Sequence, residues 1–189
     1  MICGMNTDYL TDCFLISMPG LQDDNFSRTV TYVCEHNENG AMGIVVNRPG
    51  NLQLRDILSQ LALKVPAHLA ETTIYSGGPV NTERGFVLHN GPRSYDSTLH
   101  VSEHIFVTTS RDILTNLSRD EGPKEFIIAL GYAGWQPGQL EREIRDNAWL
   151  WVKANKDVLF QTQPEKRLDA AVGLLGINLS QLASECGHA

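Results

Sequence analysis

Three adjacent residues, Cys34, Glu35 and His36, are the part of the chain whose types and spacing most resemble a reactive centre. On an extended strand Cys34 and His36 share one face, about 7 Å apart, and Glu35 takes the other. A nearby cation would lower the thiol pKa and make Cys34 a nucleophile or redox sensor. Arg28 and Arg48 are the nearest cations along the chain and are candidates for ligand binding. Because a cysteine ending an apolar strand is most often buried and inert, we rank a buried thiol first, a reactive thiol second and a metal site third.

Metal-binding patterns elsewhere are weak. The run HVSEH, from His100 to His104, matches the H-x-x-E-H pattern, which needs both histidines on one turn of a helix. The flanking β-branched residues favour a strand, where the two would lie about 13 Å apart and could not share a zinc ion. Neither this run nor Cys34 with His36 has further ligands at suitable spacing. We therefore predict no metal, and the absence of phosphate-cradling glycine motifs and recognised catalytic motifs predicts no cofactor.

Two glycine-containing segments, SGGPV and GYAGW, border a second set of candidate residues. Turns and close backbone approaches are the default account of such glycines. The functional alternative is that Gly77, Gly78, Arg84 and His89 converge around a pocket for an anion, with Arg84 as the charged contact. Trp135, predicted to lie in a loop, either packs in the core or lines a pocket or interface.

Composition and charge narrow the function classes. The 189 residues, 42% hydrophobic and 20% charged, are typical of one soluble domain, which we expect over residues 9–189 after a flexible segment 1–8. The net charge of −7 and the lack of basic clusters argue against direct DNA binding. The four cysteines are scattered, and the chain shows neither a secretory signal nor a membrane-spanning apolar run. We expect a cytoplasmic protein whose partner is another protein or a small-molecule ligand, without membrane contact.

Periodicity and turn residues predict the secondary structure. We predict strands over 13–18, 72–80, 84–90, 98–110, 125–135, 149–154 and 157–160, a β-hairpin over 28–47, and helices over 52–61, 111–120, 137–150 and 164–176. Ser110 is the expected N-cap of the second helix. Strands come in adjacent groups with helices between the groups, which predicts an α+β fold with a mixed, largely antiparallel sheet.

Several long segments carry a family resemblance: MPGLQDDNFSRTVTYVCEHNENGAMGIVVNRP, YSGGPVNTERGFVLH, VTTSRDIL and LGYAGWQPGQLEREIRDNAWL. From about residue 9 onward the chain resembles the YqgE/AlgH family of small bacterial proteins, especially its AlgH members in pseudomonads, which are named as regulators of alginate production. The resemblance implies a single α+β domain with a bent, partly barrel-like sheet flanked by helices, and a cytosolic transcriptional regulator. It brings no catalytic residues, cofactor or substrate.

Combined with the acidic composition, this resemblance favours a sensing or regulatory domain that does not bind DNA directly. The alternative is a thiol-based enzyme or redox sensor that uses Cys34, with His36 as its partner.

Overall fold

A computed structural model describes residues 9–91 and 95–185, so the segment predicted to be flexible, 1–8, lies outside the described residues. The described part is a single α+β domain built on a curled half-barrel sheet. Its strands are β1 (Cys13–Ser17), β2 (Val30–Asn37), β3 (Gly40–Val45), β4 (Pro49–Gln53), β5 (Thr73–Ser76), β6 (Val80–Asn90), β7 (Thr98–His100), β8 (Ile105–Thr108), β9 (Phe126–Trp135) and β10 (Trp149–Lys153). Its helices are α1 (Leu54–Gln60), α2 (Asp112–Ser118), α3 (Gln139–Arg145), α4 (Lys156–Phe160), α5 (Pro164–Gly173) and α6 (Leu179–Glu185). None of the helices in the described residues has the length and apolar character needed to span a bilayer.

The sheet is mixed and largely antiparallel, as predicted. Its strand order is β10-β1-β2-β3-β9-β6-β8-β7, and β5, which pairs with β4, joins β9 in parallel. At the centre, β9 pairs with β6 along one edge and with β5 and β3 in succession along the other. Gly131 in β9 has a left-handed φ of 78° and lies so close to the Gly78 carbonyl that a Cβ would come within 2.4 Å of its oxygen. Only glycine permits this crossing, which lets the sheet curl where β5 leads into β6.

Alternation along the strands divides the interior into separate clusters. The main core takes one face of the sheet and is covered by α4, α5 and α6; it includes Phe14, Tyr32, Ile44, Leu88, Val158, Leu168 and Leu182. The α3 cluster takes the other face and includes Leu15, Val33, Trp135, Leu140 and Trp149. A third cluster lies under α1 and α2 and includes Leu54, Leu58, Ile113 and Leu117. The helices therefore leave part of the main-core face available for the cleft described below.

Most predicted elements are confirmed, with shifts of a few residues at their ends. The strand at 13–18, the hairpin over 28–47, the helix over 52–61 and the strand over 125–135 correspond to β1, β2–β3, α1 and β9. The predicted strand over 98–110 is two strands, β7 and β8, joined by a turn that contains most of HVSEH. The second helix begins one residue later than predicted, with Arg111 rather than Ser110 at the N-cap. Edge strand β4 and helix α6 had no counterpart in the prediction.

The predicted strand over 157–160 is wrong, because these residues belong to helix α4. Asn155 caps this helix, and its side-chain oxygen accepts hydrogen bonds from the backbone N–H groups of Asp157 and Val158, at 2.9 and 3.1 Å. Such a cap satisfies donors that an isolated first turn leaves unpaired. Periodicity alone does not distinguish a strand from a helix in a four-residue apolar run, and here the Asn155 cap favours the helix.

The predicted shared face of Cys34 and His36 is also wrong. The pairing between β2 and β3 shifts between Val33 and Glu35, which marks a β-bulge. A bulge inserts an extra residue and reverses the alternation beyond it. Cys34 therefore packs in the main core, whereas His36 contacts Leu10 and the side chain of Glu141 on α3.

Candidate functional site

Cys34 is a buried thiol, the possibility ranked first from the sequence. Its side chain is 1% exposed, and its Sγ donates to the backbone oxygen of Tyr32 at 3.7 Å. Burial raises the pKa of Cys34 far above its ordinary value, and the charge of Glu35 raises it further. The thiol is therefore protonated at neutral pH, which does not favour nucleophilic or redox chemistry.

His36 joins the start of the described chain to α3. Its Nδ1 accepts a hydrogen bond from the Leu10 N–H at 3.0 Å, so its Nε2 carries the proton of the neutral ring and donates to Glu141 Oε1 at 2.9 Å. Tyr9 packs edge-on against the imidazole. Both ring nitrogens are used within the fold, and the arrangement is one that holds elements together.

The two arginines suggested as activators of Cys34 have other contacts. Arg48 donates to the backbone oxygens of Asn25 and Ser27 and so fixes the loop between β1 and β2. Arg28 occupies a left-handed turn with φ of 56°, and its carbonyl accepts from the Asn47 side chain at 3.0 Å. The Arg48 side chain and the Arg28 backbone therefore stabilise the loop between β1 and β2.

The proposed convergence of Gly77, Gly78, Arg84 and His89 does not occur. A Cβ on Gly77 would lie 2.4 Å from the Gly131 oxygen, and one on Gly78 would lie 2.2 Å from the Tyr132 backbone, so both glycines permit β5 and β6 to approach β9. His89 lies at a separate cavity of about 460 Å³. Its Nε2 hydrogen-bonds the Thr108 hydroxyl at 2.8 Å. Burial lowers the pKa of His89 to about 4, partly opposed by its hydrogen bond to the Asn90 backbone.

Arg84 instead lines an open cleft of about 920 Å³, formed by β2, β3 and β6–β9 and the segments that join them. This volume is within the range of small-molecule sites. Its apolar floor is part of the main core or packs against it, and consists of Met42, Phe86, Leu99, Val107 and Tyr132. The cleft thus opens onto partly exposed side chains, Met42, Leu99 and Tyr132, that pack against the main core.

A long bulge in β6 presents Arg84 to the cleft. Val80 pairs with Tyr132 and Gly85 with Leu130, so residues 81–84 lie opposite Gly131 alone and bow outward. The Arg84 guanidinium lies 5.7 Å from the centre of the Phe86 ring, and its Nη2 donates weakly to the Thr109 hydroxyl at 3.4 Å. Arg84 is the one cation among the described lining residues and has no ion-pair partner among them. Several of its donors therefore remain available to a ligand.

The cleft also contains one carboxylate, Glu35, which the sequence analysis had not placed at a site. The β2 bulge directs it to this side, where it is exposed and accepts from the Asn37 side chain at 3.1 Å. Amide side chains surround the apolar floor, from Asn37, Asn39, Asn81 and Gln136. The polar run NTER between Val80 and Gly85 was the signal in the sequence that could have indicated this rim.

Trp135 both packs in the core and lines a pocket, which the sequence analysis gave as alternatives. It is the last residue of β9, rather than a loop residue, and is 7% exposed, so that it packs in the α3 cluster and lines the cleft. Its Nε1 donates to Glu143 Oε2 at 2.9 Å, and the same oxygen accepts from Trp149 Nε1 at 2.9 Å. Glu143 therefore fixes the orientation of one cleft wall from α3.

The side chains in the cleft are suited to binding. Its described lining contains no cysteine or histidine, and the ionisable side chains are Glu35, Arg84 and Tyr132. Within residues 9–91 and 95–185, no three side chains of His, Cys, Asp or Glu gather closely enough to hold a metal ion. An arginine and hydrogen-bonding amides above an apolar floor can orient a ligand and bury its apolar part.

The chain is similar to known proteins over most of its length. A family model described as AlgH-like matches residues 14–180. A UPF0301 protein of Thioalkalivibrio sulfidiphilus is 52% identical over 179 residues, 95% of this chain and 96% of the relative. A UPF0301 protein of Pseudomonas aeruginosa is 51% identical over 183 residues, 96% of each chain.

Two solved structures share the fold. The solution structure of the AlgH protein from Pseudomonas aeruginosa has a TM-score of 0.80 and 49% identity, and the match covers 98% of this chain and 99% of that one. A crystal structure of a protein from Corynebacterium diphtheriae has a TM-score of 0.64 at 17% identity, covering 84% and 83% of the two chains, and is similar in fold alone.

Proposed function

This chain belongs to the AlgH-like family, and from that premise we propose that it is a cytoplasmic regulatory domain that senses an apolar, anionic small molecule in the Arg84 cleft. A regulatory role is what the resemblance to AlgH proteins implies, and this chain is 49% identical to the AlgH protein from Pseudomonas aeruginosa. The observation that carries the proposal is an apolar floor with partly exposed side chains, beside an arginine that has no ion-pair partner among the described residues.

The energetics of the cleft favour an amphiphilic ligand. Apolar groups gain about 25 cal/mol per Å² when they leave water, so a ring covering the partly exposed Met42, Leu99 and Tyr132 would supply much of the affinity. An anion on the exposed Arg84 guanidinium would add a charge-assisted hydrogen bond, worth about 0.2–1 kcal/mol where solvent screens the pair. The apolar part supplies affinity and the anion supplies orientation.

Direct DNA binding is the less favoured function. Non-specific DNA affinity depends on several Lys or Arg side chains that neutralise phosphates. The chain carries a net charge of −7, and the cleft offers one cation. Tight, sequence-selective binding to promoter DNA that weakens steeply with added salt would contradict the proposed mode of action.

Anilinonaphthalenesulfonate, a fluorescent aromatic sulfonate, tests the proposal against N-phenylnaphthylamine, which lacks the sulfonate. We expect the folded protein to bind the sulfonate about two- to fivefold more tightly. Arg84→Gln should remove this preference while leaving the affinity for the neutral probe nearly unchanged. Arg55→Gln removes an exposed arginine of α1 outside the cleft and is the matched control.

Circular dichroism must show that each variant retains its fold, since these probes also bind partly unfolded proteins. Equal affinity for both probes in the unmodified protein, or an equal loss in Arg84→Gln and Arg55→Gln, would refute a cleft that selects anions through Arg84.

A further inference from the structure

The cleft carries two opposite charges on different strands. Glu35 lies on β2 and Arg84 in the bulge of β6, and neither forms an ion pair within the described residues. Two such groups that are left apart across an apolar floor can each bind a complementary charge of one ligand. A ligand with an ammonium group at one end and an anion at the other fits both.

The sheet registers give the separation of the two residues along the sheet. Glu35 pairs with Met42 of β3 and Met42 with Gly134 of β9, whereas Arg84 lies opposite Gly131 of β9. Three inter-strand steps of about 4.8 Å and three residues of about 3.3 Å along β9 place the two backbones roughly 17 Å apart on a flat sheet. Four or five residues of extended peptide, at about 3.3–3.6 Å each, cover that span.

The rim of the cleft matches the backbone of such a peptide. Side-chain amides both donate and accept hydrogen bonds, as peptide groups do, and the amides at this rim are those of Asn37, Asn39, Asn81 and Gln136. Met42 and Tyr132 of the apolar floor lie on the strands between Glu35 and Arg84, and Leu99 continues the floor on β7. A volume of about 920 Å³ is large for a single amino acid and suits a short peptide.

We propose that the ligand class of this cleft is a short, apolar, zwitterionic peptide of four or five residues, whose amino terminus binds Glu35 and whose carboxylate binds Arg84. This inference rests on the proposed function, because it names the ligand of the same site. It adds a requirement that the proposed function lacks, namely a cation on the ligand.

The tetrapeptide alanyl-leucyl-leucyl-phenylalanine, with its N-acetylated and C-amidated forms, tests the inference by isothermal titration calorimetry. Acetylation removes the ammonium charge and amidation removes the carboxylate, while the side chains stay the same. We expect each change to weaken binding about two- to fivefold. In Glu35→Gln the penalty for acetylation should disappear and that for amidation persist; in Arg84→Gln the reverse should hold.

Glu71→Gln and Arg55→Gln are the control variants, because both residues are exposed and lie outside the cleft, and both should keep the two penalties. If acetylation has no effect while amidation weakens binding, the zwitterionic peptide is refuted and the anion-sensing function stands. Failure of all three peptides to bind at millimolar concentration also refutes the inference. If the sulfonate probe then shows no preference either, the proposed function fails with it.

Discussion

Replacing Glu143 with alanine should destabilise the protein and loosen one wall of the cleft. Glu143 Oε2 accepts hydrogen bonds from the Nε1 atoms of Trp135 and Trp149, each at 2.9 Å, and Oε1 accepts from Gln139 Nε2 at 2.9 Å. The two indoles are 7% and 3% exposed, so their N–H groups have little access to water. Alanine would leave both donors buried without an acceptor.

The expected loss in the free energy of unfolding follows from the number of buried N–H groups left without an acceptor. A buried donor without a partner costs about 1–3 kcal/mol, so two indole N–H groups predict a loss of about 2–6 kcal/mol in the free energy of unfolding. Glu143→Gln keeps one oxygen for the indoles but turns an N–H₂ group toward the Gln139 amide. We expect a smaller loss of about 1 kcal/mol for this variant.

Urea unfolding, followed by circular dichroism and by tryptophan fluorescence, measures these losses. Glu71→Ala removes an exposed carboxylate outside this network and should remain within about 0.5 kcal/mol of the unmodified protein. The reasoning would be refuted if Glu143→Ala were as stable as Glu71→Ala, because the indole hydrogen bonds would then contribute nothing.

Three further predictions concern buried polar groups. Arg167→Met should lower the free energy of unfolding by about 3 kcal/mol or more, because it leaves the carbonyls of Val46, Val158 and Thr162 without their donor. Lys166→Met changes an exposed residue and is the control, and equal stability of the two variants in urea would contradict this prediction. Cys34 should resist iodoacetamide in the folded protein at pH 8.5 and react after unfolding in urea, as peptide mass spectrometry would detect; rapid alkylation of the native state would reveal an accessible thiolate. The pKa of His89 is lowered in the folded protein to about 4 from 6.5, so the unfolded state binds the proton more readily between these values. Stability should therefore fall as the pH drops through this window, by at most about 1.4 kcal/mol per pH unit, and a His89→Gln variant with the same pH dependence as the unmodified protein would exclude His89 as the cause.

The elements with strong periodicity were predictable from the sequence. The β2–β3 hairpin has an alternating first strand followed by the turn run NENG, and α1 repeats leucine and isoleucine at helical spacing. Strand β9 is an apolar run that ends in glycines. A strand or helix that is buried on one or both faces carries apolar residues at a regular spacing, and this spacing can be read from the local sequence. They also led to the α+β class.

The irregular features were not predictable in the same way. The β2 bulge depends on the register with β3, and it separates Cys34 from His36 while turning Glu35 toward the cleft. The long bulge in β6 depends on pairing with β9, forty or more residues away along the chain. Arg84 was a candidate by type, but its neighbours in the cleft come from strands distant in sequence. Bulges therefore determine which side chains share the site.

Resonances of the tryptophan indole N–H groups test the binding role of the cleft most directly. The chain has three tryptophans; Trp135 lines the cleft, and Trp151 is 46% exposed on β10, outside the cleft. On titration with anilinonaphthalenesulfonate we predict a saturable shift of the Trp135 indole signal, an unchanged Trp151 signal, and about two- to fivefold weaker affinity in Arg84→Gln. A Trp135 signal that stays fixed while the probe binds, or one that responds equally in Arg84→Gln, would contradict the assignment of the ligand site to this cleft.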